Sequence, residues 1–357
     1  LMTAPGDDLD AMPPAGAAAS PGDTAPPEDI LEEEDNRRRR RLLLLLMLLL
    51  AFLALLGLAI WYLLFRQPIP VPTIPGEAIM PTYTTSIYGA SRPMSVAVTS
   101  DGGRIYIGET AGDVTAGIYD AGGNEVQPLL PPSSTGTDHV PTYLAVSPLT
   151  GEIYVSDRPT SSNYIYDAQG TYLRSFTPPV DAENWQPLGL GFDTAGNLYV
   201  TDVGKVPNRI RVFDPSGAQI RVFGENDELD FPNGVAIDDA GYAYVTDSNN
   251  GRLLVYGQDG IIVARIGRGA GEGNLGLPRG VAIDGQDRVY VADSSGHMVL
   301  VYGRYQEGSS RLEYLGSFGS QGSGDGAFAY PNGITVDARG RLYIADSANN
   351  RVQLWSY

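Results

Sequence analysis

The side chains most able to do chemistry in this sequence recur at a fixed interval. Glu109, Asp157, Asp202, Asp247, Asp293 and Asp346 each follow a proline (Pro93, Pro141, Pro187, Pro232, Pro278, Pro331) by 15 or 16 residues. A tyrosine stands three residues before every acid: Tyr106, Tyr154, Tyr199, Tyr244, Tyr290 and Tyr343. Such carboxylates can bind a cation, move protons, or accept backbone N–H groups in turns. One acid per copy favours the turn role, because a ligand set must converge on one point. The tyrosines read as packing between copies. Histidine occurs only at His139 and His297, one before the second copy and one within the fifth, so they fall on opposite sides of any ring and do not make a zinc site. No cysteine is present, which removes disulfides and thiolate chemistry. No Ser-His-Asp arrangement falls within the copies, so nucleophilic catalysis has no visible machinery. The acidic run from Glu225 to Asp230 lacks the spacing of a calcium loop and reads as a solvated loop. Glycine-rich runs at 267–276 and 319–326 precede strands, whereas phosphate cradles open helices.

The interval between these groups dictates the architecture. Successive repeat prolines lie 48, 46, 45, 46 and 53 residues apart. Self-similarity near 46 residues predicts one four-stranded sheet per copy and an all-β, six-bladed β-propeller. Blade four serves as the pattern: strands at 234–238, 242–246, 252–256 and 261–266, joined by Gly- and Asn-bearing turns. The last copy stops after its third strand. Residues 82–89 end like the outer strands of other copies (Ser86-Ile-Tyr-Gly89 against Arg221-Val-Phe-Gly224), so they are expected to complete blade six and close the ring.

Where the chain enters each innermost strand, the residue after the repeat proline should line the mouth of the central channel. These are Met94, Thr142, Leu188, Asn233, Arg279 and Asn332. Asn233, Arg279 and Asn332 belong to consecutive blades, and an arginine between two amides suits a carboxylate or carbonyl group. With Thr142 and His297 on the same face they form the candidate ligand-binding set. No catalytic, cofactor or metal residue is assigned.

The N-terminal quarter is organised by charge and hydropathy. Residues 1–36 carry ten acids and no base, 37–66 six arginines and no acid, and 67–357 hold 18 bases against 32 acids, −14 of the total −18. An acidic outer domain disfavours nucleic acid as a partner. Leu42 to Phe65 is uncharged. At about 1.5 Å per residue it reaches about 36 Å, enough for a hydrocarbon core of about 30 Å. Five arginines before it and one after predict a single-pass anchor in the cell membrane, N-terminus cytoplasmic and the rest outside. Residues 1–41 are expected to be a disordered acidic tail with a basic flank, 66–81 a proline-rich stalk, and 82–357 the propeller. Leu1 before Met2 suggests a non-standard start or a fragment, and the arginine-dominated basic set (one lysine, Lys205) suggests a GC-rich bacterial genome.

The stretch Phe318-Gly-Ser-Gln-Gly-Ser-Gly-Asp-Gly-Ala-Phe-Ala-Tyr-Pro-Asn-Gly-Ile-Thr-Val-Asp337, followed by Gly340-Arg-Leu-Tyr-Ile-Ala-Asp-Ser-Ala-Asn-Asn-Arg-Val-Gln-Leu-Trp355, resembles the NHL repeat. The resemblance spans 82–357. It is strong in blades four to six and weaker in blades one and two, where Glu109 replaces the aspartate and Asn-x-Arg is missing. It implies a six-bladed propeller, in a family whose activities range from protein or RNA binding to amidating lyases and sensor domains. The chain also distantly resembles the regucalcin and gluconolactonase propellers, which place Asn and Asp metal ligands at the mouth. Asn233 and Asn332 match the amide, yet no carboxylate joins them and Arg279 opposes a cation. The expected function is a membrane-anchored external module binding a protein, peptide or glycan, with no cofactor. The alternative is a hydrolase or lyase, gluconolactonase-like or amidating-lyase-like, at the same mouth.

Overall fold

In a computed structural model, residues 28–65, 80–111, 116–132, 139–269 and 271–357 are described here. They fall into two units, divided at Arg66 and Gln67. The first holds one α-helix, Glu28–Phe65. It begins well before the apolar run, so residues 28–41 are helical where the sequence suggested disorder. Glu and Arg are good helix formers, and acids at the start complement the positive end of the helix dipole. Leu42 to Leu58 expose their side chains on every face, and the span Arg37–Leu58 is long and apolar enough to cross a membrane. Residues 1–27 of the expected tail and 66–79 of the expected stalk lie outside the described residues.

The second unit is a six-bladed β-propeller, six antiparallel sheets of four strands each. Blade four comprises Pro232–Ile237, Ala243–Asp247, Arg252–Tyr256 and Ile262–Ile266, the innermost strand starting two residues earlier than the pattern indicated. The strand Thr82–Tyr88 pairs antiparallel with Arg351–Ser356 and supplies the outer strand of blade six, as its sequence ending foretold.

Cross-strand pairing explains the repeat signature. In every blade the repeat proline lies opposite the recurrent acid: Pro93↔Glu109, Pro141↔Asp157, Pro187↔Asp202, Pro232↔Asp247, Pro278↔Asp293 and Pro331↔Asp346. A bulge follows each proline, one or two residues before regular pairing resumes. Bulges re-aim the side chains next to them, here those at the mouth. Proline, lacking an N–H, is tolerated at the first position of a strand.

The acids do more than cap the turn after their own strand. Each accepts a backbone N–H from the loop entering the innermost strand: Ser91 to Glu109 at 2.9 Å, Gln186 to Asp202 at 3.0 Å, Asp230 to Asp247 at 2.8 Å, Ala329 to Asp346 at 2.7 Å. The Asn-x-Arg element completes the clamp. Asn250 and Arg252 reach Asp247 at 2.8 and 2.6 Å, and Asn349 and Arg351 reach Asp346 at 2.8 Å each. Five of the six recurrent tyrosines are buried in the packing between blades, Tyr154 being half-buried, and three also donate to an acid ending the innermost strand: Tyr244 to Asp238, Tyr290 to Asp284 and Tyr343 to Asp337.

The core is the set of seams between blades. Leu253 and Val255 of blade four pack with Val281, Val289 and Val291 of blade five, all buried. Near the axis the innermost strands converge so closely that side chains have no room. A Cβ on Gly189 would stand 1.9 Å from the Asn233 carbonyl oxygen, and one on Gly333 2.6 Å from the Ser95 Cα. Glycine there is a packing requirement.

Candidate functional site at the channel mouth

The six strand entrances form a closed ring of short, bulged segments, so whatever projects from them meets at the axis. Asn233, Asn332, Thr142 and Leu188 are all buried there, whereas Arg279 is half-exposed. The reason is Tyr143. It occupies the position that is serine or glycine in the other blades (Ser95, Gly189, Gly234, Gly280, Gly333), and its ring crosses the channel. Its hydroxyl lies 3.5 Å from Oδ1 of Asn233 and equally far from Oδ1 of Asn332. One phenol from blade two is therefore shared between two acceptors, on blades four and six, and donates to one of them at a time. Burial pushes the Tyr143 pKa upward, partly opposed by the charge of Arg279, so the phenol stays protonated at neutral pH and can donate.

The amide of Asn233 is oriented by its partners. Its Nδ2 donates to Ser248 Oγ at 2.6 Å and to the Phe231 carbonyl at 3.2 Å, so Oδ1 faces the axis. Asn332 Nδ2 contacts the Met94 sulfur at 3.4 Å. Thr142 turns its hydroxyl to the Val140 carbonyl at 3.2 Å and reads as local structure. Arg279 is the mouth residue with unused capacity. Its Nε is buried with no acceptor, and no carboxylate pairs with its guanidinium among the described residues.

His297 stands on the same face, with a left-handed backbone (φ 54°). Its Nδ1 accepts the Tyr330 backbone N–H at 3.1 Å, and the two rings meet edge to face with centroids 4.7 Å apart. A neutral imidazole held this way carries its proton on Nε2. His139 serves elsewhere: its Nδ1 bonds the Asp157 carboxylate, replacing the arginine that blade two lacks. The structure therefore brings Asn233, Arg279 and Asn332 together, puts His297 and Tyr330 at the blade-six side, and keeps the histidines apart.

Sequence reasoning missed four residues here. Tyr143 was signalled by its break with the Gly/Ser pattern. Arg158 follows the recurrent acid of blade two, and its guanidinium lies over the Phe231 ring, 5.1 Å from the centroid. Phe231 and Tyr330 immediately precede repeat prolines, with φ of 56° and 53°. Bulky residues in that region, before proline above all, are strained by about 1–3 kcal/mol, and such strain concentrates at functional sites. No signal in the sequence distinguishes them. The acidic loop is not simply solvated: Glu225 pairs with Arg209 at 3.3 Å, Asp227 accepts from Tyr256 at 3.1 Å and Asp230 from Asn249 at 3.0 Å. Among the described residues no three His, Asp or Glu side chains converge as a metal site would require.

Below Tyr143 the channel widens into a cavity of about 310 Å³, open at the opposite face and lined mainly by aliphatic residues such as Val98, Val146, Ile237 and Val336.

Comparison with known proteins agrees with this geometry. Residues 229–256, 275–302 and 328–354 match the NHL repeat, in blades four, five and six. Protein lin-41 of Caenorhabditis elegans is 56% identical over 39 residues, 11% of this chain and 3% of that protein. NHL repeat-containing protein 3 of Mus musculus is 24% identical over 228 residues, 59% of this chain and 50% of that protein. The matches thus span at most half of these relatives. Among solved structures, a streptogramin B lyase superposes with a TM-score of 0.54 at 13% identity, covering 79% of this chain and 99% of that one. U3-55K does so at 0.54 and 15%, covering 76% and 98%. Virginiamycin B lyase from Staphylococcus aureus gives 0.53 and 12%, covering 78% and 99%. At such identities the likeness is one of fold.

Proposed function

From a wheel of six blades that carries NHL repeats, we propose a membrane-anchored, extracytoplasmic binding module. Its channel-mouth face engages a protein, peptide or glycan. The observation that carries this reading is the closed mouth. Tyr143 and two buried amides fill the axis, while Arg279, His297 and the 56% exposed Tyr330 stand around it. A filled axis ringed by aromatic and cationic groups suits contact with a partner's surface. The helix over Leu42–Phe65 supplies the anchor, and the arginines before it set the orientation.

The test is cross-linking in native membranes. A photoreactive amino acid in place of Tyr330 should capture a partner, and Arg279→Glu in the same chain should reduce the adduct about tenfold or more, as loss of a hot-spot arginine does. An adduct unaffected by Arg279→Glu would remove the mouth face from consideration. An enzymatic use of the mouth has one observation in its favour, the His297 ring held through Nδ1 with Nε2 left to act. That reading requires turnover lost in His297→Ala, with the partner adduct retained.

A further inference from the structure

We infer that the ligand group read at the mouth is a single carboxylate borne on an apolar body, held between Arg158 and Arg279 beside Phe231. The inference rests on the binding-module reading and names what its site recognises. Arginines buried or half-buried in this domain are as a rule committed. Arg209 and Arg211 pair with Asp202 at 3.1 and 2.8 Å, Arg252 with Asp247 at 2.6 Å, Arg288 with Asp284 and Arg341 with Asp337 at 2.7 Å, Arg351 with Asp346 at 2.8 Å. Arg158 and Arg279 break this rule. Among the described residues they are the two arginines whose Nε is buried without an acceptor, and neither has a carboxylate partner. Leaving a buried donor unmade costs about 1–3 kcal/mol, more for a charged group. Two such groups on one face indicate an acceptor brought by something else.

Their placement fits one small anion. Arg279 lies close enough to Tyr143 for its charge to act on that phenol. Tyr143 and Phe231 share one apolar cluster with Leu188 and Trp185, and Arg158 lies over Phe231. Arg279 of blade five thus acts on the tyrosine plug directly, and Arg158 of blade two joins the same cluster through Phe231. A guanidinium matches a planar carboxylate with two parallel N–H donors. The adjoining surface is aromatic: Phe231 lies under Arg158, and the exposed Tyr330 meets His297 edge to face. An apolar group next to the carboxylate would lie there. Polyanions are disfavoured, because the surrounding domain carries 32 acids against 18 bases and the 225–230 loop brings four of those acids to this face. A carboxylate of this kind comes from a peptide C-terminus or from an acidic side chain with apolar neighbours.

Fluorescence anisotropy with the full-length protein in detergent tests the inference. The probes are labelled Gly-Gly-Ala-Leu-Phe with a free C-terminus, the same peptide amidated, the amidated peptide with glutamate replacing leucine, penta-glutamate, and a single-stranded oligonucleotide. The free acid or the glutamate peptide should bind about tenfold or more tighter than the plain amide, and which one does so identifies the source. Arg158→Gln and Arg279→Gln, each confirmed folded by circular dichroism, should weaken that probe about tenfold. Arg158→Lys and Arg279→Lys should recover part of the loss, since charge returns without the fork. Equal binding of the amide, no binding of any peptide, tighter binding of penta-glutamate or the oligonucleotide, or indifference to both glutamine variants would overturn it. Because the cross-linking experiment depends on Arg279 and Tyr330 alone, a captured partner insensitive to Arg158→Gln would sink the carboxylate and spare the binding face.

Discussion

At Asp181 the carboxylate accepts from Asn184 Nδ2 at 2.9 Å and from Arg209 at 2.6 Å, and these bonds pull its pKa down to about 2. The sign of the linkage follows. A carboxylate whose folded pKa lies below its unfolded value near 3.8 contributes stability at higher pH and loses it as pH falls toward 2. Asp181→Asn should therefore lower the melting temperature at pH 6 and flatten its fall between pH 4 and 2, read by thermal melting across pH. Glu109 acts the other way: burial raises its pKa, so its penalty to folding is greatest at neutral pH and fades on acidification. The difference was half legible. Six recurrent acids could be counted in the sequence, and the Asn-x-Arg clamp of blades four and six stood beside them. That Glu109, among the described residues, keeps only the Ser91 N–H while Asp181, outside the repeat, joins the Arg209 network was not visible, because both depend on which loops fold back.

At the level of elements, the ring closes through one strand from the far end of the domain. Thr82–Tyr88 pairs with Arg351–Ser356 over six residue pairs and buries Ile87. Without it the third strand of blade six presents unpaired N–H and C=O groups, an edge that invites pairing with other chains. A chain lacking residues 1–89 should melt at lower temperature and aggregate, compared with one lacking residues 1–65. Equal melting temperatures would show that closure contributes nothing. This strand was found from sequence by its Ser-Ile-Tyr-Gly ending. The bulge after each proline was not, although it decides which side chains meet at the axis. Its signal is a change of pairing register, and register belongs to two strands at once.

For the whole molecule the proposed anchoring puts the wheel on the outer side of a membrane, and that placement can be tested. The chain has no cysteine, so one introduced thiol reports alone. Ile261 is 64% exposed on the rim. Ile261→Cys should react with a membrane-impermeant maleimide on intact cells, and labelling only after lysis would reverse the proposed topology. The amino-acid order by itself determined the number of blades, their phase and the apolar span, because period and hydropathy are properties of a single segment repeated. It also marked the mouth positions, since each follows a repeat proline. What the tertiary structure alone decided is that the mouth is shut. Tyr143 reaches Asn233 and Asn332, 90 and 189 residues further along the chain. It likewise decided that Arg279 of blade five and Arg158 of blade two, the latter over Phe231, come to this face with their Nε atoms buried and without an acceptor among the described residues. Such meetings exist only once the ring has closed, because the axis is the one place where residues from every blade come within bonding distance.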